Sequence, residues 1–301
     1  MIELVGVSRW YGNVVAVNEV SFTVEAGVTG LLGPNGAGKS TILHMVAGLL
    51  APSTGTVTVG GQASFGNPPV YRQVGLVPER EAVYAFLTGR EFVRGMARLH
   101  GLTDADAAST RAIEAVDMMA AADRAIGGYS KGMWQRIKIA SALVHDPPAL
   151  VLDEPFNGMD PRQRLHMMAM LRRMAAEGRT ILFSSHILEE VERLAERVLV
   201  IVAGRLAASG DFRQIRRLMT DRPHTFTVRS SDDRALAAAL VADPAVSGVS
   251  LDDGLISVRA SDYGAFSRLV AVAARDANVR LYELLPTDES LESVFSYLVR
   301  R

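Results

Sequence analysis

Apolar and polar residues alternate along the first two dozen positions. Ile2, Leu4, Val5 and Val7 are followed by Val14, Val15 and Val17, then by Val20, Phe22 and Val24. A period of two predicts β-strands, and Tyr11-Gly12-Asn13 interrupts the run, so two or three antiparallel strands are expected. Residues 28–32 form a short apolar strand feeding a glycine-rich loop, and 41–50 are apolar enough for a buried helix. From about 88 to 126 the pattern is helical and rich in Ala, Met and Arg. Thr88-Gly89-Arg90-Glu91 has the spacing of a capping box, which marks a helix start. After Ser130 the pattern predicts a helix, a strand at 149–153, a helix at 161–177, a strand at 180–184 and a helix at 187–196. Alternating strands and helices imply an α/β fold with a mostly parallel sheet covered on both faces.

A hairpin is expected over 198–209 around Ala203-Gly204-Arg205, then a short basic helix over 211–220. Asp221-Arg222-Pro223 reads as a boundary, which divides the chain into domains 1–220 and 221–301. The second domain predicts a strand at 224–229, a helix at 232–242 and a hairpin of 246–251 with 255–259, turned at Asp252-Asp253-Gly254. A helix at 263–277, a strand at 279–285 and a final helix at 290–297 follow. This β-α-β-β-α-β order is the ferredoxin-like α+β pattern.

Composition narrows the function classes. The chain has 301 residues, 49% hydrophobic and 22% charged, which is ordinary for a folded protein of about two domains. A formal net charge of −1 lacks the basic excess of a nucleic-acid binder, so no nucleic-acid partner is expected. There is no Cys, which excludes disulfides, iron–sulfur clusters and thiolate zinc sites. The six His residues are scattered. Mean hydropathy is +0.15, slightly apolar. Yet no run approaches the ~20 apolar residues of a membrane span, and the early Glu3 argues against a signal peptide. The expected location is the cytoplasm, with membrane attachment only through a partner.

Gly33-Pro34-Asn35-Gly36-Ala37-Gly38-Lys39-Ser40 fits G-x-x-x-x-G-K-[ST] at every fixed position. It follows a predicted strand and opens a predicted helix, in which Thr41 is next; this is the context that the motif requires. Glycines let backbone N–H groups turn inward around a phosphate, and the helix N-terminus adds donors and a positive dipole end. Lys39 is expected to reach the β and γ phosphates, and Ser40 to ligate Mg²⁺. Residues 149–152 form an apolar strand ending in Asp153-Glu154. That places Asp153 near the phosphate loop as a second Mg²⁺ ligand, with Glu154 available to take a proton from an attacking water. No [NT]-K-x-D guanine-reading motif is present, so a small-GTPase reading loses ground.

With these motifs the chain, over about residues 1–215, resembles the ATP-binding cassette proteins. Tyr129-Ser130-Lys131-Gly132-Met133 stands where that family carries its signature, about ninety residues after Lys39. Asn157-Gly158-Met159-Asp160 looks like the loop that crosses to a partner cassette. The resemblance implies a P-loop (RecA-like) core with an antiparallel β-subdomain and a helical subdomain. It implies a head-to-tail homodimer in which Ser130, Gly132 and Asp160 of one cassette close over ATP held by the other. It makes His186 the switch histidine and Tyr11 the adenine-stacking ring, with Trp10 packing instead. Ser130 can also cap its own helix, and Gly132 would add flexibility there.

Two departures from the family pattern stand out. Glu79 occupies the place of the usual Gln that contacts Mg²⁺, and Lys131 replaces a glycine of the signature. Both substitutions, and the tail from Leu285 to Phe295, look like those of exporter cassettes that pair with a separate integral membrane permease (the ABC-2 type, including drug and antibiotic exporters). The coupling surface is expected over 78–92, around Tyr84, Phe86 and Leu87. The alternative is a soluble ATPase of the same family acting on nucleic acid or the ribosome. The neutral charge and the short spacing between the motif halves weigh against it.

Overall fold

The computed structural model describes residues 1–79, 84–218, 223–252, 255–287, 291, 292 and 295. Its contacts divide the chain into Met1–Ser209 and Gly210–Arg301. The division falls ahead of Asp221-Arg222-Pro223, the break read from the sequence, whose first two residues lie outside the described residues.

In chain order the first unit contains β1 (Ile2–Tyr11), β2 (Val14–Val24), β3 (Gly27–Leu32), α1 (Lys39–Val46), β4 (Thr54–Val59), β5 (Gln62–Ala63), α2 (Pro68–Tyr71) and β6 (Val74–Val77). Then come α3 (Gly89–Leu99), α4 (Ala105–Ala115), α5 (Lys131–Leu143), β7 (Ala149–Leu152), α6 (Pro161–Ala176), β8 (Thr180–Ser185), α7 (Leu188–Leu194), β9 (Arg197–Val202) and β10 (Arg205–Gly210). Thr88 caps α3 in a complete capping box: its hydroxyl accepts from Glu91 N–H at 3.1 Å, and the Glu91 carboxylate accepts from Thr88 N–H at 2.8 Å.

Two sheets carry the unit. The smaller has the order β2-β1-β4-β5, with all adjacent pairs antiparallel. The larger has the order β10-β9-β3-β8-β7-β6, and the pairs β9-β3, β3-β8, β8-β7 and β7-β6 are parallel. Ile2, Leu4, Val7, Val17 and Val20 join Ile42, Leu43 and Met45 of α1 in one core. The alternation along β1 and β2 therefore marks the face that meets the core. β4, α2 and β6 arise between Leu50 and Thr88, where the hydropathy pattern predicts no element. β4 buries only Val57 and Val59, and β6 is four residues long, so neither carries enough periodicity to be read. β6 matters, because it brings Glu79 to the same sheet edge as the other site residues.

Against β6 lie two stacked histidines, His100 and His145, with ring centroids 3.8 Å apart and planes at 12°. The ring Nε2 of His145 lies 3.3 Å from the Val74 carbonyl. Burial pushes His145 down to about 4, and the neighbouring His100 pushes in the same direction. The folded chain therefore binds this proton more weakly than the unfolded chain does, so stability is full above the ordinary value of 6.5 and is lost as pH falls toward 4. Melting temperature measured across pH 7 to pH 4 should fall, and His145→Gln should flatten that slope. An unchanged slope in the variant would assign the loss elsewhere.

The second unit contains α8 (Phe212–Leu218), β11 (His224–Ser230), α9 (Asp233–Val241), β12 (Val246–Asp252), β13 (Leu255–Ala260), α10 (Tyr263–Asp276) and β14 (Leu281–Pro286). The sheet order is β12-β13-β11-β14, antiparallel throughout. Alternate residues Phe226, Val228, Ile256 and Val258 meet Leu236, Leu240, Phe266 and Val270 of α9 and α10 in its core. This is a split β-α-β arrangement. Asp232 and Asp262 cap the two helices. The turn residues Asp253-Gly254 and most of the helix expected over 290–297 lie outside the described residues.

Candidate active site

Parallel pairing of β3, β8, β7 and β6 puts their C-terminal ends on one edge, the usual ligand edge of an open α/β sheet. The loop after β3 carries Gly33–Gly38 and leads into α1 at Lys39 and Ser40, the loop after β6 carries Glu79, Asp153 and Glu154 follow β7, and His186 follows β8. Lys39, Ser40, Thr41, Asn35, Gly36, Gly38, Glu79, Glu154, Asn157 and His186 line one cleft of about 540 Å³.

The phosphate loop is held close to its surroundings. Gly38 has φ 103° and caps α1, and a Cβ there would stand 2.4 Å from the Ala16 carbonyl oxygen. Only glycine fits both that backbone and that approach. A Cβ on Gly33 would meet the Ile201 carbonyl at 2.3 Å. Pro34 and Ala37 complete the loop, with Ala37 N–H donating to the Pro34 carbonyl at 3.1 Å.

Lys39 is buried, and its Nζ donates to the carbonyls of Gly33 at 2.8 Å and Pro34 at 3.3 Å. Burial pushes its pKa down, and the carboxylates of Glu154, Asp153 and Glu79 oppose that. Among these carboxylates Glu154 is an ion-pair partner, at 3.9 Å.

Asp153 and Glu154 diverge for a backbone reason. Glu154 has φ 49°, in the left-handed region that a non-glycine residue seldom adopts. Such strain persists where the surroundings impose it. Ser184 imposes it here: its Oγ accepts from Glu154 N–H at 2.9 Å and donates to Asp153 Oδ1 at 2.5 Å. Glu154 Oε2 then meets His186 Nδ1 at 2.9 Å. A buried carboxylate, a lysine ammonium and a half-exposed imidazole thus converge on the cleft.

The donors expected to hold Mg²⁺ are hard oxygens. Ser40 and Glu79 face the cleft, and Asp153 is buried beside it through its bond to Ser184. Among the described residues no group of three His, Cys, Asp or Glu is placed to hold a metal by itself. A site of one or two carboxylates and a hydroxyl fits Mg²⁺, which takes its other ligands from phosphates and water.

The second set of expected residues lies apart from this cleft. Ser130 caps α5, its Oγ accepting from Met133 N–H at 3.3 Å. Gly132 sits in the first turn of that helix. A Cβ there would stand 2.0 Å from Gln163 Oε1, the end of a side chain on α6. Asp160 caps α6, accepting from Gln163 N–H at 2.9 Å. Ser130, Gly132 and Asp160 therefore form one joint between α5 and α6, and none of them lines the cleft that holds Lys39.

Tyr11 and Trp10 end β1 beyond its last buried residue, Ser8, and are 47% and 45% exposed. Trp10, expected to pack, is only about half covered, and the facing Val14 and Val15 are exposed as well. The Arg9 guanidinium covers the Tyr11 ring at 4.9 Å.

Sequence reasoning missed Ser184, although Ser184-Ser185 directly before His186 was the available signal. It also missed Lys138, buried on α5, whose Nζ donates to the Pro78 carbonyl at 2.6 Å and so ties the loop carrying Glu79 to α5. Nothing in the local sequence marks Lys138.

A phosphate loop opening a helix, with carboxylates and a histidine on the edge of a parallel sheet, defines a P-loop nucleoside triphosphatase. The chain belongs to the ABC transporter family, as an ATP-binding and ATP-hydrolysing cassette: residues 17–157 match that family. It is 32% identical to the linearmycin resistance ATP-binding protein LnrL of Bacillus subtilis, over 100% of this chain and 99% of that protein. It is 41% identical to a Nod factor export ATP-binding protein I of Rhizobium leguminosarum bv. viciae, over 69% of this chain and 68% of that protein. A solved ATP-binding subunit of an ABC transporter superposes with TM-score 0.65 at 30% identity, covering 72% of this chain and 92% of that one.

Proposed function

We propose that the chain is the ATPase subunit of an ABC-2 type exporter and drives substrate export through a separate integral membrane permease. The observation that carries this reading is the convergence of Lys39, Glu154 and His186 in one cleft, in a chain whose full length is similar to a linearmycin resistance ATP-binding protein. Among the described residues no helix is long and apolar enough to cross a membrane.

In this reading the N–H groups of Gly33–Thr41 and the Lys39 ammonium hold the phosphates of ATP, and a ring at the end of β1, Tyr11, stacks on adenine. Base stacking on such a ring contributes about 1–3 kcal/mol. Ser40, Asp153 and Glu79 hold Mg²⁺, which supplies charge neutralisation on the phosphates. Glu154 takes the proton of the attacking water, and His186 donates a hydrogen bond toward the γ phosphate while Glu154 fixes its ring. Ser130, Gly132 and Asp160 serve the site of a second copy. Their distance from the chain's own cleft supports a head-to-tail homodimer with two composite sites. The near-neutral charge favours a protein partner at the inner face of the membrane over nucleic acid.

Tyr84 and Phe86 are 60% and 79% exposed, with rings 5.8 Å apart, and form the permease-docking surface. The test is co-expression with a polytopic membrane protein, to be sought in the adjacent reading frame. The chain should sediment with membranes and support ATP-dependent substrate accumulation in inverted vesicles. Tyr84→Asp/Phe86→Asp should release it to the soluble fraction with its ATP binding intact. Recovery on ribosomes or DNA, with no membrane association, would overturn the reading.

A further inference from the structure

The His186 side chain is 43% exposed, so packing does not hold its ring in place. Beyond its bond to Glu154, its position depends on the backbone on either side. That backbone is held by an arrangement with no role in the site so far.

α7 begins at Leu188 with Ile187 as its N-cap, and Ile187 has no side chain that could cap. A helix start needs an acceptor for its first N–H groups. Ser185, on the far side of His186, supplies one: its Oγ accepts from Ile187 N–H at 3.0 Å. The same hydroxyl donates to Glu190 Oε2 at 2.6 Å. Donation to the carboxylate leaves the hydroxyl's lone pairs directed at Ile187, so the two bonds enforce each other. Glu190 is the third residue of α7, where a capping box would place a glutamate. Here it takes the hydroxyl of Ser185, because the N-cap N–H is already used.

Glu190 is 2% exposed. Burying a carboxylate there costs free energy unless a cation offsets it. Arg164 of α6 provides that cation, with Nη1 3.3 Å from Glu190 Oε1. Arg164 lies one helical turn after Asp160, which caps the same helix.

We infer that Glu190 is a positioning residue for hydrolysis: through Ser185 it clamps the backbone flanking His186, and through Arg164 it ties that clamp to the helix that begins at Asp160. The inference rests on the role proposed for His186. A reacting geometry is sensitive to displacements of about 1 Å, which can cost about a hundredfold in rate. Loosening the clamp should therefore slow turnover while leaving the phosphate loop untouched.

The test is steady-state ATPase kinetics of the full chain carrying Glu190→Ala, Glu190→Gln, His186→Ala and the double change His186→Ala/Glu190→Ala. Glu190→Ala should lower kcat about tenfold or more, with KM for ATP within about twofold of wild type. Glu190→Gln keeps an acceptor for Ser185 and should recover kcat to within about threefold of wild type. The double variant should be no slower than His186→Ala alone, because both act through one group. Should Glu190→Ala fail to fold, Ser185→Ala must show the same kcat loss at constant KM. Wild-type kcat in Glu190→Ala, or a double variant slowed by the full product of the single effects, would overturn the inference while leaving the role of His186 standing. Wild-type kcat in His186→Ala would instead remove the role of His186, and the inference with it.

Discussion

Glu154→Gln is expected to bind ATP as the wild-type chain does and to hydrolyse it about two to four orders of magnitude more slowly, the usual contribution of a positioned general base. That loss corresponds to about 3–5 kcal/mol of barrier. The substitution is nearly isosteric. The strained φ of 49° at position 154 and its N–H bond to Ser184 do not depend on the carboxylate, so the backbone should stay in place. What disappears is the proton acceptor and one negative charge 3.9 Å from Lys39 Nζ. Removing that charge leaves the lysine free for phosphate, so affinity should not fall. With hydrolysis blocked, ATP should hold two copies together. Size-exclusion chromatography should show a dimer with ATP and Mg²⁺ and a monomer without them. Hydrolysis near the wild-type rate would remove the role given to Glu154.

Lys39→Ala should lose nucleotide. The ammonium is expected to make charge-assisted hydrogen bonds to phosphate, each worth about 1.5–3 kcal/mol. Loss of about 2–3 kcal/mol lowers affinity about thirty- to a hundredfold or more. Lys39 is also the ion-pair partner of buried Glu154, so its removal leaves that carboxylate less well compensated and should cost some stability. Melting temperature with and without ATP separates the two effects: the wild-type chain should be stabilised by ATP, and the variant should not. Unchanged nucleotide affinity would count against the phosphate-loop assignment. Because Lys39→Ala removes binding while Glu154→Gln removes only turnover, the pair distinguishes a failure to hold ATP from a failure to cleave it.

How much of this could be read in advance depended on how local each feature is. Gly33–Ser40 is legible because its chemistry is carried by consecutive residues. The capping box at Thr88 and Glu91 and the cap Ser130 are legible for the same reason, since each acts on N–H groups within three residues. The apolar run ending at Asp153-Glu154 is legible as a buried strand because both of its faces are covered. β4 and β6 are not, because too few of their side chains alternate in burial. Packing of Trp10 was expected from register against the family, and that register does not record that the strand runs past the buried positions before the ring is reached.

By itself the sequence determined the fold class, the phosphate loop and the identity of the residues able to do chemistry. Those follow from short-range periodicity and from motifs whose parts are neighbours in the chain. Only the tertiary structure decided which of those residues meet. The parallel order β3-β8-β7-β6 brings the loops after four separate strands to one edge, so Lys39, Glu79, Glu154 and His186 share a cleft. The same packing leaves Ser130, Gly132 and Asp160 at a different joint. The left-handed turn at Glu154 and the clamp of Ser185, Glu190 and Arg164 also belong to the tertiary structure. Each depends on strands and helices that are distant in sequence, and no local pattern records a contact that exists only once the sheet has formed.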